Sequence, residues 1–142
     1  MIFDRTNLFS NAQAITASAA STNAIDLGPI ASGVVRDIGP GTDIPLLVQV
    51  VEAFDSAADD ETLTVALQLD STDTFTPDKS ITLGTISNAD LKKVGTRIPF
   101  RVVPDGVNLQ FARLYYTVAG SGAFTAGKIT AGIVAAVQTN NR

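Results

Sequence analysis

Thr62-Leu63-Thr64-Val65-Ala66-Leu67-Gln68-Leu69-Asp70 decides the fold. Leu63, Val65, Leu67 and Leu69 occupy every second position, with threonine, alanine and glutamine between them. A side-chain period of two belongs to an extended strand with one face on a core and the other in water. The stretch therefore predicts a strand of a half-buried sheet.

The same period recurs along the chain. Ala112 to Val118 sends Leu114, Tyr116 and Val118 one way and Arg113, Tyr115 and Thr117 the other. Arg97 to Val102 turns Ile98, Phe100 and Val102 inward, and Pro99, which has no N–H to give a ladder, predicts a sheet edge there. Lys128 to Gln138 alternates through Ile129, Ala131, Ile133, Ala135 and Val137. Pro45 to Phe54 is more continuously apolar, as in a strand covered on both faces or one that changes face at a bulge. Shorter candidates are Gln13 to Thr16, Asn23 to Leu27 and Ser80 to Ile86. Ala12 to Ala24, rich in Ala, Ser and Thr, reads as two short strands joined by a turn at Ala19-Ala20-Ser21. The sum is about eight strands.

Turn signals separate them, among them Gly28-Pro29, Gly39-Pro40-Gly41, Pro104-Asp105-Gly106 and Gly120-Ser121-Gly122. A single helical turn is expected at Ser87 to Leu91, with Ser87 as its cap and Asp90 three residues on. Short strands, frequent turns and no βαβ alternation indicate an all-β sandwich, jelly roll or barrel. The length of 142 residues suits one domain, read as 12–142 behind a short N-terminal arm, 1–11.

Composition narrows the chemistry. With no Cys and no His, the chain lacks thiolate nucleophiles, disulfides, imidazole bases and the commonest ligands of zinc, copper and iron. Ser-His and Cys-His hydrolases are excluded. A net charge of −4, spread along the chain, offers no basic patch for nucleic acid. Residues 1–9 do not resemble a signal peptide, and no apolar run reaches the roughly 18 to 20 residues of a membrane span. A soluble protein made in the cytoplasm, with no cofactor and no enzymatic activity, is the expectation.

The acidic loop Asp55 to Glu61 has the composition of a calcium site without the EF-hand spacing, and acid-rich turns between strands are ordinarily just solvated. The loop at Asp70 to Asp73 reads as a turn whose side chains bond their own backbone. Carboxylate pairs for sugar cleavage lack neighbouring Trp platforms, and no phosphate-binding glycine motif lies between a strand and a helix.

Two features point to contact surfaces. Phe111, Arg113 and Tyr115 share the strand face opposite Leu114, Tyr116 and Val118, and interfaces are enriched in these residue types. The bland alternatives are a strand buried on both faces or the opposite register. In the arm, Ile2, Phe3, Leu8 and Phe9 are costly to leave in water, at roughly 1.5 to 3 kcal/mol each. They are expected to pack on their own domain or on a neighbour.

Leu8 to Thr16 followed by Ser21 to Gly28, Leu114-Tyr115-Tyr116-Thr117-Val118 followed by Gly127 to Ala131, and Thr62 to Gln68 with the Ser71-Thr72-Asp73 turn resemble the capsid cement, or decoration, proteins of tailed bacteriophages, notably short-tailed ones. The resemblance implies a jelly-roll-like antiparallel β-sandwich on the outer capsid surface of the virion. There it would clamp neighbouring major capsid proteins non-covalently as a homo-oligomer, a dimer ahead of a trimer. The resemblance supplies no catalytic residues. From another class, the rival expectation is a carbohydrate- or receptor-binding β module of a tail fibre or surface adhesin, against which the absence of Trp counts.

Overall fold

The alternation that opens the sequence reading is realised in a computed structural model that describes residues 4–34, 36–41, 43–98 and 102–135. After a 3-10 turn at Arg5–Asn7 come β1 (Leu8–Ala14), β2 (Ala19–Ala20), β3 (Ile25–Asp26), β4 (Leu46–Ser56), β5 (Thr62–Asp70) and β6 (Lys79–Ser87). The one-turn helix α1 (Asn88–Leu91) follows, then β7 (Phe111–Ala119) and β8 (Phe124–Ile133). Of the sequence expectations, Ile2, Phe3, Pro99, Phe100 and the stretch beyond Ala135 lie outside the described residues.

All pairings are antiparallel and form two sheets. One runs β1-β8-β4, the other β2-β7-β5-β6 with β3 also on β7. The described ends of the predicted strand at 97–102 lie on the other edge of β4, where Arg97 bridges Gln49 and Val102 bridges Pro45. There the Ile98 N–H donates to the Val48 carbonyl at 2.8 Å, and the Val50 N–H to the Thr96 carbonyl at 2.9 Å. With that segment counted as a strand and β2 with β3 as one interrupted strand, first pairs with last and second with next to last. Two sheets ordered this way make a jelly-roll sandwich, the fold expected from the sequence.

The core lies between the sheets. Phe9, Leu46, Val48, Val50, Ile129 and Ala131 enter it from the first, and Leu63, Val65, Leu67, Leu69, Leu114 and Tyr116 from the second. Phe54 meets Phe124 edge to face, ring centres 4.8 Å apart, within a core made largely of valine, isoleucine and leucine. Both readings of the continuously apolar strand hold. Leu46, Val48 and Val50 face the core while Leu47 is also only 2% exposed. The register then breaks after Val50, exposing Val51 and Glu52 before Phe54 returns inside. Gly127, at φ +134, allows that return, because the Phe54 ring lies flat against its backbone where a Cβ would stand.

One buried polar tie joins the sheets. The hydroxyls of Ser10 on β1 and Tyr116 on β7 are 2.7 Å apart, both residues 0% exposed, and Ser10 Oγ also donates to Gln13 Oε1. Gln13 carries the tie on, donating to the Ala20 carbonyl and accepting from the Thr22 N–H. Burial pushes the Tyr116 phenol well above its ordinary value, and the bond with Ser10 opposes this only in part.

This network explains two corrections to the sequence reading. Residues 8–11 are not arm but the start of β1, paired with β8 from Leu8 opposite Gly132. A buried serine at position 10 hid the alternation. Ala19 and Ala20 are not a turn but β2, laid against Tyr116 and Tyr115, where their methyl side chains fit beside the tyrosines. The single helical turn stands where expected, although the Ser87 hydroxyl donates to the Asp90 carboxylate and accepts no N–H from the helix end.

The long connection from β3 to β4 is pinned from within. Arg36 donates to the carbonyls of Leu27 and Gly28, and the Asp37 carboxylate accepts backbone N–H bonds from Gly39, Gly106 and Val107. Burial raises the Asp37 carboxyl, but these donors and the nearby Lys79 charge outweigh it and hold the group below its ordinary range.

Candidate docking surface

β7 has the register read from its sequence. Ala112, Leu114 and Tyr116 are buried, whereas Phe111, Arg113 and Tyr115 are half-buried on the outer face of the second sheet. Of the two bland alternatives, burial of both faces and reversed register, neither describes this strand.

Cross-strand partners share a face, so the register names the neighbours of each residue. Tyr115 stands between Ala66 of β5 and Ala20 of β2, so the residue directly beside it on each neighbouring strand is an alanine. Arg113 stands beside Gln68, whose side-chain oxygen accepts from Arg113 Nε at 2.8 Å. Its guanidinium also lies 4.3 Å from the centre of the Phe75 ring, a cation–π contact. Phe111 is set between Asp70 and Asp26. Around the row the face is threonine and serine, with Thr64 of β5 bonded to Thr85 of β6 and with Ser80 and Thr82 further along that strand.

Phe75 escaped the sequence reading because it lies in the turn after β5. Its only signal was a large aromatic in an otherwise polar loop. That loop is self-bonded: Asp70 accepts from the Thr72 N–H and hydroxyl, and Asp78 accepts from Ser71. Phe75 takes a φ of +48 in it, strain of a kind that persists only where surrounding contacts hold it.

The other candidates divide. Phe9 is 1% exposed in its own core, while Leu8 is half-buried against Gly132, where a Cβ would meet the Asn7 carbonyl and Leu8 itself. Ile2 and Phe3 lie outside the described residues.

The acidic loop does not gather its carboxylates. Asp59 pairs with Lys92 at 2.6 Å and accepts from Asn88, Asp60 accepts from the Ser121 N–H and hydroxyl, and Glu61 is buried. The Lys92 bond holds Asp59 below its ordinary range, as the Ser121 bonds do Asp60. Among the described residues no three acidic groups converge as a metal site would require. A small, partly open pocket that reaches the core is lined by apolar side chains such as Phe9, Leu67, Val103 and Ile133. No helix among the described residues is long and apolar enough to cross a membrane.

What these observations define is an antiparallel jelly-roll β-sandwich that carries an aromatic and arginine row on one outer sheet face. The Bbp16 family model matches residues 9–133, from the first core phenylalanine to the end of β8, and the chain belongs to that family. No curated protein matches the chain in sequence.

Proposed function

We propose that this protein is a capsid cement protein. It binds the outer surface of an icosahedral phage shell as a homo-oligomer and clamps neighbouring major capsid proteins without covalent bonds, stabilising the DNA-filled head. The observation that carries this reading is the Phe111-Arg113-Tyr115 row. Its arginine is oriented by Gln68 and Phe75, and the face around it is small and hydroxylated. Aromatic and arginine anchors side by side have the composition of an interface centre. Membership of the Bbp16 family and the sequence resemblance to cement proteins support the same reading.

Such a protein needs no reaction centre. Contacts of modest strength, repeated over a shell and tethered to one another, gain affinity because each raises the effective concentration for the next.

The test is co-sedimentation of F111A and Y115A with shells stripped of the native protein. Both side chains are half-buried on an outer face, so melting should stay near that of the native protein. Anchors of this type cost about 2 kcal/mol or more on truncation, roughly thirtyfold in affinity. Native-like sedimentation of both variants overturns the assignment of the row. Heads that lose DNA at the same temperature with and without the protein overturn the function.

A further inference from the structure

The outer edge of β6 closes the second sheet, and among the described residues β6 pairs only with β5. Exposed strand edges are normally blunted by lysine, proline or a charge that points inward. From residue 80 to 87 this edge has none of these. It reads Ser80-Ile81-Thr82-Leu83-Gly84-Thr85-Ile86-Ser87, the same forwards and backwards apart from its central pair. Lys79, just before it, is turned away to the Gly106 carbonyl at 2.8 Å.

A palindrome matters for an edge because two identical strands related by a two-fold axis pair antiparallel, each residue opposite its mirror in the sequence. In a regular strand this palindrome would fail. Thr82 and Thr85 are three apart and would point to opposite faces, yet directly opposed residues must share a face.

The bulge removes the conflict. On β5, Ala66 faces Thr82 and the next residue back, Val65, faces Gly84, so Leu83 is the extra residue. In consequence Thr82 and Thr85 are both exposed on the outer face, while Ile81 and Ile86 both turn toward the core. The irregularity that elsewhere serves to blunt an edge here brings the palindrome into register.

We infer that β6 is a self-association edge, pairing antiparallel with β6 of a second copy so that Thr82 lies opposite the partner's Thr85 and Ile81 opposite the partner's Ile86. A second copy suits the edge on three counts. No like charges meet, the Thr–Thr and Ile–Ile pairs are among those that stabilise cross-strand neighbours, and half-buried Ile81 and Leu83 gain cover. At this end, a recess lined by Thr85, Ile86, Asp90, Thr96, Arg97 and Ile98 lies beside the position the partner's Ile81 would take. The two second sheets would become one, with both β7 rows on the same side of it. Five strand spacings separate the two β7 strands, about 24 Å. This inference rests on the homo-oligomer part of the reading above: a native monomer tells against both, whereas a dimer that survives T82E/T85E tells against this edge alone.

The test is the mass of the purified full chain by sedimentation velocity and light scattering. The native protein should run as a dimer. T82E/T85E sets like charges opposite each other at two symmetry-related places and should halve the mass, with circular dichroism unchanged. T82E/T85K, which sets opposite charges at the same places, should restore the dimer. Should T82E/T85E fail to fold, T82C/T85C decides, since the chain has no native cysteine. Mild oxidation should link T82C/T85C into dimers while T82C and T85C alone link little. A native monomer, a dimer that survives T82E/T85E, or equal cross-linking in all three cysteine variants overturns the inference.

Discussion

Gly127→Ala should be among the most damaging single-methyl additions to this protein. The residue sits at φ +134 on β8, and an added Cβ would stand 2.4 Å from two carbons of the Phe54 ring, which is 1% exposed and locked edge to face against Phe124. Two costs combine. Holding alanine in backbone territory that favours glycine costs about 1 to 3 kcal/mol. Forcing a packed ring aside costs about 1 to 3 kcal/mol more. The total, roughly 2 to 6 kcal/mol, is a large share of the roughly 5 to 15 kcal/mol of a typical domain. It corresponds to a melting temperature lower by about 5 to 20 °C.

Urea titration of G127A, G33A and the G127A/F54L pair separates the two costs. Gly33 also has a positive φ, +81, but nothing within 4 Å of its added Cβ, so G33A reports the backbone cost alone. G127A should exceed G33A by the packing cost and by the extra strain of φ +134 over +81, and the packing part of the excess should shrink in the F54L background, because the two sites are coupled by contact. If G127A costs under about 1 kcal/mol, or costs no more than G33A, the account of how β4 turns back into the core is wrong.

Other outcomes follow from the polar ties. Tyr116→Phe removes one side of the bond between the sheets but leaves Ser10 its contact with Gln13, so urea denaturation should show a loss of about 1 kcal/mol, whereas a gain in stability would contradict the tie. The Asp37 carboxyl titrates below its unfolded value of 3.8, so its bonds contribute stability above that pH and lose it as pH falls through the lower folded value. Melting should therefore drop as pH falls from about 4 toward about 2, and the drop should be smaller in D37N; an equal drop in both would remove Asp37 from the acid response.

Much of the sandwich is legible in the sequence because a period of two survives wherever one face is apolar. Leu63 to Leu69 and Leu114 to Tyr116 give both strand and register, and from that register the outward row on β7 follows. Legibility ends where a polar residue does a core residue's work. Ser10 is buried only because Tyr116, more than a hundred residues away, meets its hydroxyl, and nothing near Ser10 announces that. Ala19 and Ala20 resemble turn residues until the tyrosines that select small neighbours are placed beside them. Phe75 over Arg113 is also a product of tertiary folding, a turn residue laid on a strand that begins far along the chain.

The pairing of the first strand with the last has a mechanical side. Leu8, where β1 begins, lies opposite Gly132 near the end of β8, so the chain enters and leaves this pair at the same place. Tension pulling those two points apart would load the ladder one rung at a time and peel it like a zip. A load delivered across the face of β7 meets a strand held between neighbours on both edges, β5 along its whole length and β2 and β3 on the other side, so that many rungs share it. The sandwich is therefore weak when pulled by its ends and strong when pushed or sheared through its face.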